Sequence, residues 1–372
     1  MKACAALNTS LAAPKRPPDS PSDSVQPEPT RIEPIFSPRL WGSRSLAPLY
    51  PEKSNLAEPL GEAWLTGVDC KIASGPFAGK SLGQAWSAMP AEWRGTRLVS
   101  REFPILVKFI FPQDKLSIQV HPNDAYAAAH EQDAGGRGKT EMWHAVSSEP
   151  SASLLLGLKP GTDKQKFLDA MKEDRLEEIF QSHLVNPGDT FFVAAGTPHT
   201  IGPRMILCEV QEYSDLTYRV YDYGRVDGKG KPRELHIEKA LEVMKFGAAA
   251  QAKVRPLHLP GERVHKTLLA ACSYFATERW EFRATVQAES RHDCFELFVV
   301  IDGSGYIHWQ GAPLPYQRGQ CWFIPASLGK FSLQPEQSTS AIRTYVPDLL
   351  RLHAELRQAA IPETQLAQTV FA

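Results

Sequence analysis

Leu116-Ser117-Ile118-Gln119-Val120-His121-Pro122-Asn123-Asp124 alternates apolar and polar side chains. In a β-strand, Leu116, Ile118 and Val120 point one way and Ser117, Gln119 and His121 the other. One face is greasy. The opposite face carries a hydroxyl, a carboxamide and an imidazole in a row. Pro122 has no N–H for a ladder and stops the strand. Such a strand presents metal ligands and substrate contacts to a pocket from the wall of a β-barrel.

Working outward, the run 105–111 (ILVKFIF) is nearly all apolar, as a buried strand requires. Further β-type runs lie at 154–156, 190–193, 205–211 and 217–223. Leu40-Trp41-Gly42 and Gly61-Glu62-Ala63-Trp64 set tryptophans beside glycines and read as tight turns under a core. A helix is predicted over 162–184. Thr162 and Gln165 have capping-box spacing, and Phe167, Leu168, Met171, Leu176, Ile179 and Phe180 approximate a helical stripe. Asn186-Pro187-Gly188-Asp189 then forms a turn. A second helix is predicted over 236–246, with Ile237, Ala240, Leu241 and Met244 on one face. Residues 256–261 read as a joint between domains. Beyond it, short runs at 295–300, 305–309, 321–324 and 342–346 point to a second sandwich or barrel. A terminal helix is expected over 349–360.

The chain has 372 residues, enough for two domains, and 42% of them are hydrophobic. A formal net charge of -1 gives no reason to expect a nucleic-acid or membrane partner, and no apolar run is long enough to span a bilayer. Cys4, Cys70, Cys208, Cys272, Cys294 and Cys321 are scattered without a CxxC pair. In a chain of this length they read as reduced thiols of a cytoplasmic protein. Residues 1–30 hold six prolines and several serines and read as a disordered tail. The apolar residues after Met1-Lys2 are interrupted too early for a signal peptide.

Three segments supply metal-type ligands: Gln119-Val120-His121, Gly138-Lys139-Thr140-Glu141-Met142-Trp143-His144 and Gly196-Thr197-Pro198-His199. Two histidines, a carboxylate and an amide oxygen suit a divalent first-row metal such as zinc. Taken singly, each has a duller reading. His121 is an ordinary hydrogen-bonded histidine, Glu141 a solvated charge, and His199 a turn residue behind Pro198. Arg219 alone is a surface ion-pair partner and Lys139 a solvated loop lysine. Glu209, between Cys208 and Val210 on an apolar strand, wants a partner if buried.

Gly188, Ala194, Gly196, Pro198 and His199 resemble the second sequence motif of the cupin superfamily, with Ala194 where proline is more usual. Gln119, His121 and Glu141 sit where the first cupin motif supplies ligands, with an unusually long gap between His121 and Glu141. Together with Leu40-Trp41-Gly42 and Gly61-Glu62-Ala63-Trp64, these segments resemble type I mannose-6-phosphate isomerases of the shorter bacterial form, over about residues 31–350. The resemblance implies a mainly β fold of two cupin (jelly-roll) barrels with attached helices. The metal-binding catalytic domain would span 31–255, and a cupin-like domain 256–372. Where the second motif recurs after Gly319, Ser327 and Lys330 stand at the glycine and histidine positions, so no metal ligands are expected there.

The resemblance further implies one zinc ion on Gln119, His121, Glu141 and His199. It places Lys139, Glu209, Asp215 and Arg219 in the catalytic site, and Ser117, Lys139 and Arg219 on the substrate. Gly138 stands where some members carry a histidine. The implied reaction interconverts mannose 6-phosphate and fructose 6-phosphate through an enediol. Lys139, Glu209 and Asp215 would be the acid–base pool, with the lysine pKa lowered by the metal and Arg219. Arg219 suits bidentate phosphate recognition or enediolate stabilisation. The expected partner is a small sugar phosphate, and the expected assembly a monomer or homodimer. Rival readings are a cupin isomerase or epimerase for another sugar, an iron-dependent cupin oxygenase, and a non-catalytic sugar-binding cupin.

Overall fold

The apolar run at 105–111 becomes a strand, Ile105–Ile110, buried at every position including Lys108. Around it the computed structural model describes residues 26–98, 102–247, 253–261 and 263–371. In chain order the strands are β1 (Thr30–Ile32), β2 (Ile35–Ser43), β3 (Leu60–Trp64), β4 (Ile105–Ile110), β5 (Ile118–Val120), β6 (Glu141–Ser148), β7 (Ser153–Leu158), β8 (Phe180–Leu184), β9 (Thr190–Val193), β10 (His199–Ile201), β11 (Met205–Glu212) and β12 (Tyr218–Tyr221). The later ones are β13 (Leu257–Leu259), β14 (His265–Ala271), β15 (Ala276–Phe282), β16 (Val286–Glu289), β17 (Glu296–Asp302), β18 (Ser304–His308), β19 (Leu314–Gln317), β20 (Cys321–Ile324), β21 (Lys330–Pro335) and β22 (Thr339–Tyr345).

These strands form four antiparallel sheets. Six strands run in the order β2-β3-β4-β11-β6-β9, and five in the order β12-β5-β10-β7-β8. In the C-terminal part, seven run β1-β20-β17-β22-β15-β14-β13 and four run β16-β21-β18-β19. One apolar cluster, with Ile110, Trp143, Leu154, Leu156, Phe191 and Leu207, joins the six- and five-stranded sheets. A second, with Trp280, Phe298, Ile307, Trp322 and Leu333, joins the seven- and four-stranded sheets. The outer faces of the six- and seven-stranded sheets then meet in the largest cluster, where Val107, Phe109 and Val210 share a core with Leu268, Leu297 and Phe323. The mainly β expectation holds. Among the described residues the sheets remain open, with no pairing between first and last strands.

Several local expectations are corrected. The 40–42 and 61–64 segments are not turns but lie in β2 and β3, and Gly42 is needed because a Cβ there would meet the Leu60 carbonyl carbon at 2.5 Å. The helix expected over 162–184 divides into Lys164–Lys172, a 3-10 turn Leu176–Ile179 and strand β8. Asp163, not Thr162, caps it by accepting from Lys166 N at 2.8 Å, and Asp174 at φ 55° turns the chain out of the helix. Phe167, Leu176 and Phe180 still reach one apolar cluster, so the stripe was real but spans three elements. The helix expected over 236–246 is Ile237–Val243, and the terminal helix is Leu349–Gln358. The stretch read as a joint holds β13, paired with β14. Residues 1–25 of the expected tail, Cys4 among them, lie outside the described residues. Thr30 is already in β1, which pairs with β20 rather than with its sequence neighbours.

Candidate metal centre and active site

One side of the site is built on three neighbouring strands. Register sets His199 of β10 opposite Gln119 of β5, and Arg219 of β12 opposite the same Gln119 on its other side. His121 follows at the end of β5, and Glu141 opens β6 in the facing sheet. Gly196 makes the approach to His199 possible. It holds φ 84°, and a Cβ would sit 2.8 Å from Val243 O.

His121, Glu141 and His199 are fully buried, and one ligand atom of each lies within 4.8 Å of the others. His121 donates from Nδ1 to Leu216 O at 2.8 Å, and His199 from Nδ1 to Thr197 O at 2.9 Å. Those bonds fix the tautomer in which both Nε2 atoms are bare. The His121 Nε2 lies 3.7 Å from Glu141 Oε2, and the His199 Nε2 lies 3.4 Å from Glu141 Oε1. Burial holds both imidazoles neutral, pushing His199 down to about 4 and His121 well below its ordinary value. His121 Nε2 and both Glu141 oxygens lack hydrogen-bond partners although buried. Orphaned polar atoms converging on one point fit a divalent metal ion. Gln119 faces this group differently from expectation. Its amide nitrogen lies 3.2 Å from His199 Nε2, while its oxygen accepts from Ser117 Oγ at 3.4 Å. Turning the amide over would exchange the two atoms.

A cavity of about 490 Å³ opens beside this group, lined by Ser117, Gln119, Lys139, Glu209, Asp215 and Arg219 among others. The non-histidine residues singled out in the sequence are thus brought together, with Glu141 behind Lys139. Lys139 Nζ lies 2.9 Å from Glu141 Oε2. Burial works against the Lys139 charge, but Glu141 and Glu209 outweigh it and raise its pKa. Glu209 accepts from Trp143 Nε1 at 3.0 Å, and burial followed by Glu141 raises its pKa. Arg219 donates from Nη1 to Glu234 O at 2.9 Å and keeps a buried Nε without a partner.

Sequence reasoning missed four cavity residues. Lys108 of β4 is 1% exposed, bonds Asp215 Oδ1 at 2.8 Å and lies 4.3 Å over the Trp64 ring. Burial opposes its charge, but Asp215, Glu62 and Glu209 keep it above the ordinary lysine value. Burial opposes ionisation of Asp215 in turn, and Lys108 and Lys139 hold its pKa down. The lone cation in an apolar run was the signal, since it demanded a buried partner. Arg39 and Glu62, paired at 2.6 Å, complete one wall, and Arg233, held by Asp222, stands at another. Nothing in the local sequence marks these three.

An antiparallel β fold carrying two histidines and a glutamate beside a charged cavity defines a cupin-type protein with a candidate metal centre. The family model "Phosphomannose isomerase type I, catalytic domain" matches residues 30–148, and "Mannose-6-phosphate isomerase, cupin domain" matches 265–346. The mannose-6-phosphate isomerase ManA of Bacillus subtilis is 32% identical over 315 residues, covering 82% of this chain and 96% of the relative. A mannose-6-phosphate isomerase of Streptococcus mutans is 30% identical, covering 75% and 87%. The crystal structure of mannose 6-phosphate isomerase from Bacillus subtilis superposes with a TM-score of 0.78 at 26% identity, covering 85% of this chain and 99% of that one. The chain belongs to the type I mannose-6-phosphate isomerase family.

Proposed function

We propose that the protein interconverts mannose 6-phosphate and fructose 6-phosphate in a zinc-dependent reaction that passes through an enediol. The observation that carries this reading is the convergence of the unprotonated Nε2 atoms of two buried histidines on the buried Glu141 carboxylate, at the edge of a cavity rich in acid–base groups. Family membership supports the substrate pair. A zinc ion held by His121, Glu141, His199 and a turned Gln119 would supply Lewis-acid stabilisation of charge developing on the sugar oxygens.

The chain's own residues do the rest. Proton transfer between adjacent carbons needs a group that can accept and return one proton. Lys139, Glu209 and Asp215 form that pool on one cavity wall. Asp215 is the member held ionised, because Lys108 sits on its Oδ1. Glu209 is the member biased toward keeping its proton. Arg219, across β5 from His199, has a free guanidinium edge for the phosphate or the enediolate, and Ser117 adds a hydroxyl.

The division at about residue 256, the jelly-roll character of each sheet pair and a cytoplasmic setting belong to the same reading. Cys70, Cys208, Cys272, Cys294 and Cys321 support the last, being buried and free. No helix among the described residues is long and apolar enough to cross a membrane. The test is a coupled isomerase assay on mannose 6-phosphate before and after chelation. Turnover abolished by chelation and restored by zinc is expected. Turnover untouched by removal of all bound metal would take zinc out of the mechanism.

A further inference from the structure

Asp124 lies outside the cavity wall, yet its carboxylate ties three segments together. It opens the helix Asp124–His130, three residues after His121. Its Oδ1 accepts from Gly138 N at 2.9 Å, at the head of the segment carrying Lys139 and Glu141. Its Oδ2 accepts from Tyr274 Oη at 2.7 Å. Tyr274 stands in the turn between β14 and β15 of the seven-stranded sheet, so the contact crosses from the C-terminal part of the chain. Glu212, the last residue of β11, completes the cluster by hydrogen bonding to the Asp124 carboxylate.

The two segments that Asp124 joins are already in backbone contact. Lys139 N donates to Pro122 O at 3.0 Å. Gly138 leaves no room between them, since a Cβ would meet Asp124 N at 2.5 Å. Glu212 N donates to Thr140 O at 3.0 Å, so both members of the carboxyl pair grip the same loop. A displacement of Asp124 would therefore change the separation of His121 from Glu141. Burial and the neighbouring Asp124 push the Glu212 carboxyl up to about 9, so it stays a donor. Burial and Asp124 raise Tyr274 as well, so its phenol keeps its proton.

We propose that Tyr274 is a positioning residue for the candidate metal centre, acting through Asp124 to fix the His121 strand end against the Lys139–Glu141 segment. The sheet pair without the His–Glu–His group thus contributes to the site in the other one. This rests on the metal-dependent reading above, and the zinc arm of the test stands apart from activity.

The experiment measures zinc affinity by competition with a chromogenic chelator, together with kcat and KM for mannose 6-phosphate. Partners that hydrogen-bond a metal ligand directly are worth about 10- to 100-fold in affinity or activity, and Tyr274, which acts one step further out, belongs at the lower end of that range. Tyr274→Phe keeps the ring and should weaken zinc about tenfold and lower kcat similarly, with KM nearly unchanged. Asp124→Asn should cost more, and adding Tyr274→Phe to it should cost nothing further, because Tyr274 acts only through the Asp124 carboxylate. Glu212→Gln, whose amide can still donate to Asp124, should retain zinc affinity where Glu212→Ala loses it. Wild-type zinc affinity and kcat in Tyr274→Phe, or losses that multiply in the double variant, would overturn the proposal. A wild-type protein that binds zinc but does not isomerise mannose 6-phosphate would remove the functional reading alone. The zinc affinities would then still decide the role of Tyr274.

Discussion

A lysine in the middle of an apolar strand is costly unless its charge is matched. Lys108 is matched by Asp215 at 2.8 Å and Glu209 at 3.8 Å, and its ammonium sits over Trp64. Since it also holds Asp215 ionised against the cavity, Lys108→Met should damage chemistry more than folding. Glu209 can take up a proton to offset the lost partner, so the stability cost should stay near 2 kcal/mol. Activity should fall by about 100-fold or more, the scale of a lost acid–base contribution. Urea unfolding and the coupled assay on the same preparation separate the two effects. A variant with normal turnover would free Asp215 from its dependence on Lys108.

At the level of elements, the turn at Gly196 sets the entry of β10 and with it His199. Gly196→Ala would place a Cβ 2.8 Å from Val243 O at φ 84°. The expected cost exceeds about 1 kcal/mol, with lower zinc affinity and a lower melting temperature as the readouts. This turn was legible in the sequence, as was the ligand strand. Alternation along 116–121 specified which side chains share a face, and the glycine and proline spacing located His199. The helix over 162–184 was overread because Phe167, Leu176 and Phe180 serve one apolar cluster from three different elements. Tryptophan beside glycine at 40–42 and 61–64 looked like a turn, but a strand also needs glycine where a neighbouring backbone comes close. Tyr274 and Arg233 could not be found this way. Their roles depend on contacts between segments distant in sequence, and nothing near them in the chain records such contacts.

For the whole molecule, the carboxyl pair between the two halves predicts a pH dependence. Glu212 sits at about 9 in the fold against about 4.5 in an unfolded chain. Between those values the folded protein holds a proton that the unfolded chain has lost, so stability falls as pH rises through this window. Below it the Glu212 contribution is intact. Asp124 acts in the opposite sense. Burial opposes its ionisation, but its hydrogen bonds hold its pKa below the ordinary aspartate value. The stability it contributes is lost as pH falls below that range. Glu212→Gln removes the alkaline penalty and should gain about 1 to 3 kcal/mol at pH 8–9 relative to its effect at pH 5. Thermal unfolding across pH checks this, and parallel curves for the two proteins would count against it.

The pairing of β1 with β20 belongs to the same scale. Ile32 lies opposite Cys321, so the first described strand completes its ladder only with a partner some 290 residues later. On a ribosome adding roughly 5 to 20 residues per second, that strand waits about 15 to 60 s for its partner. During this interval β20, the edge it joins, does not yet exist. Pairing at that edge is therefore a late event of synthesis, and a chain truncated before Cys321 would keep the Ile32–Ile72 bridge on one side of Thr30–Ile32 but leave the side that β20 covers open to association with other chains.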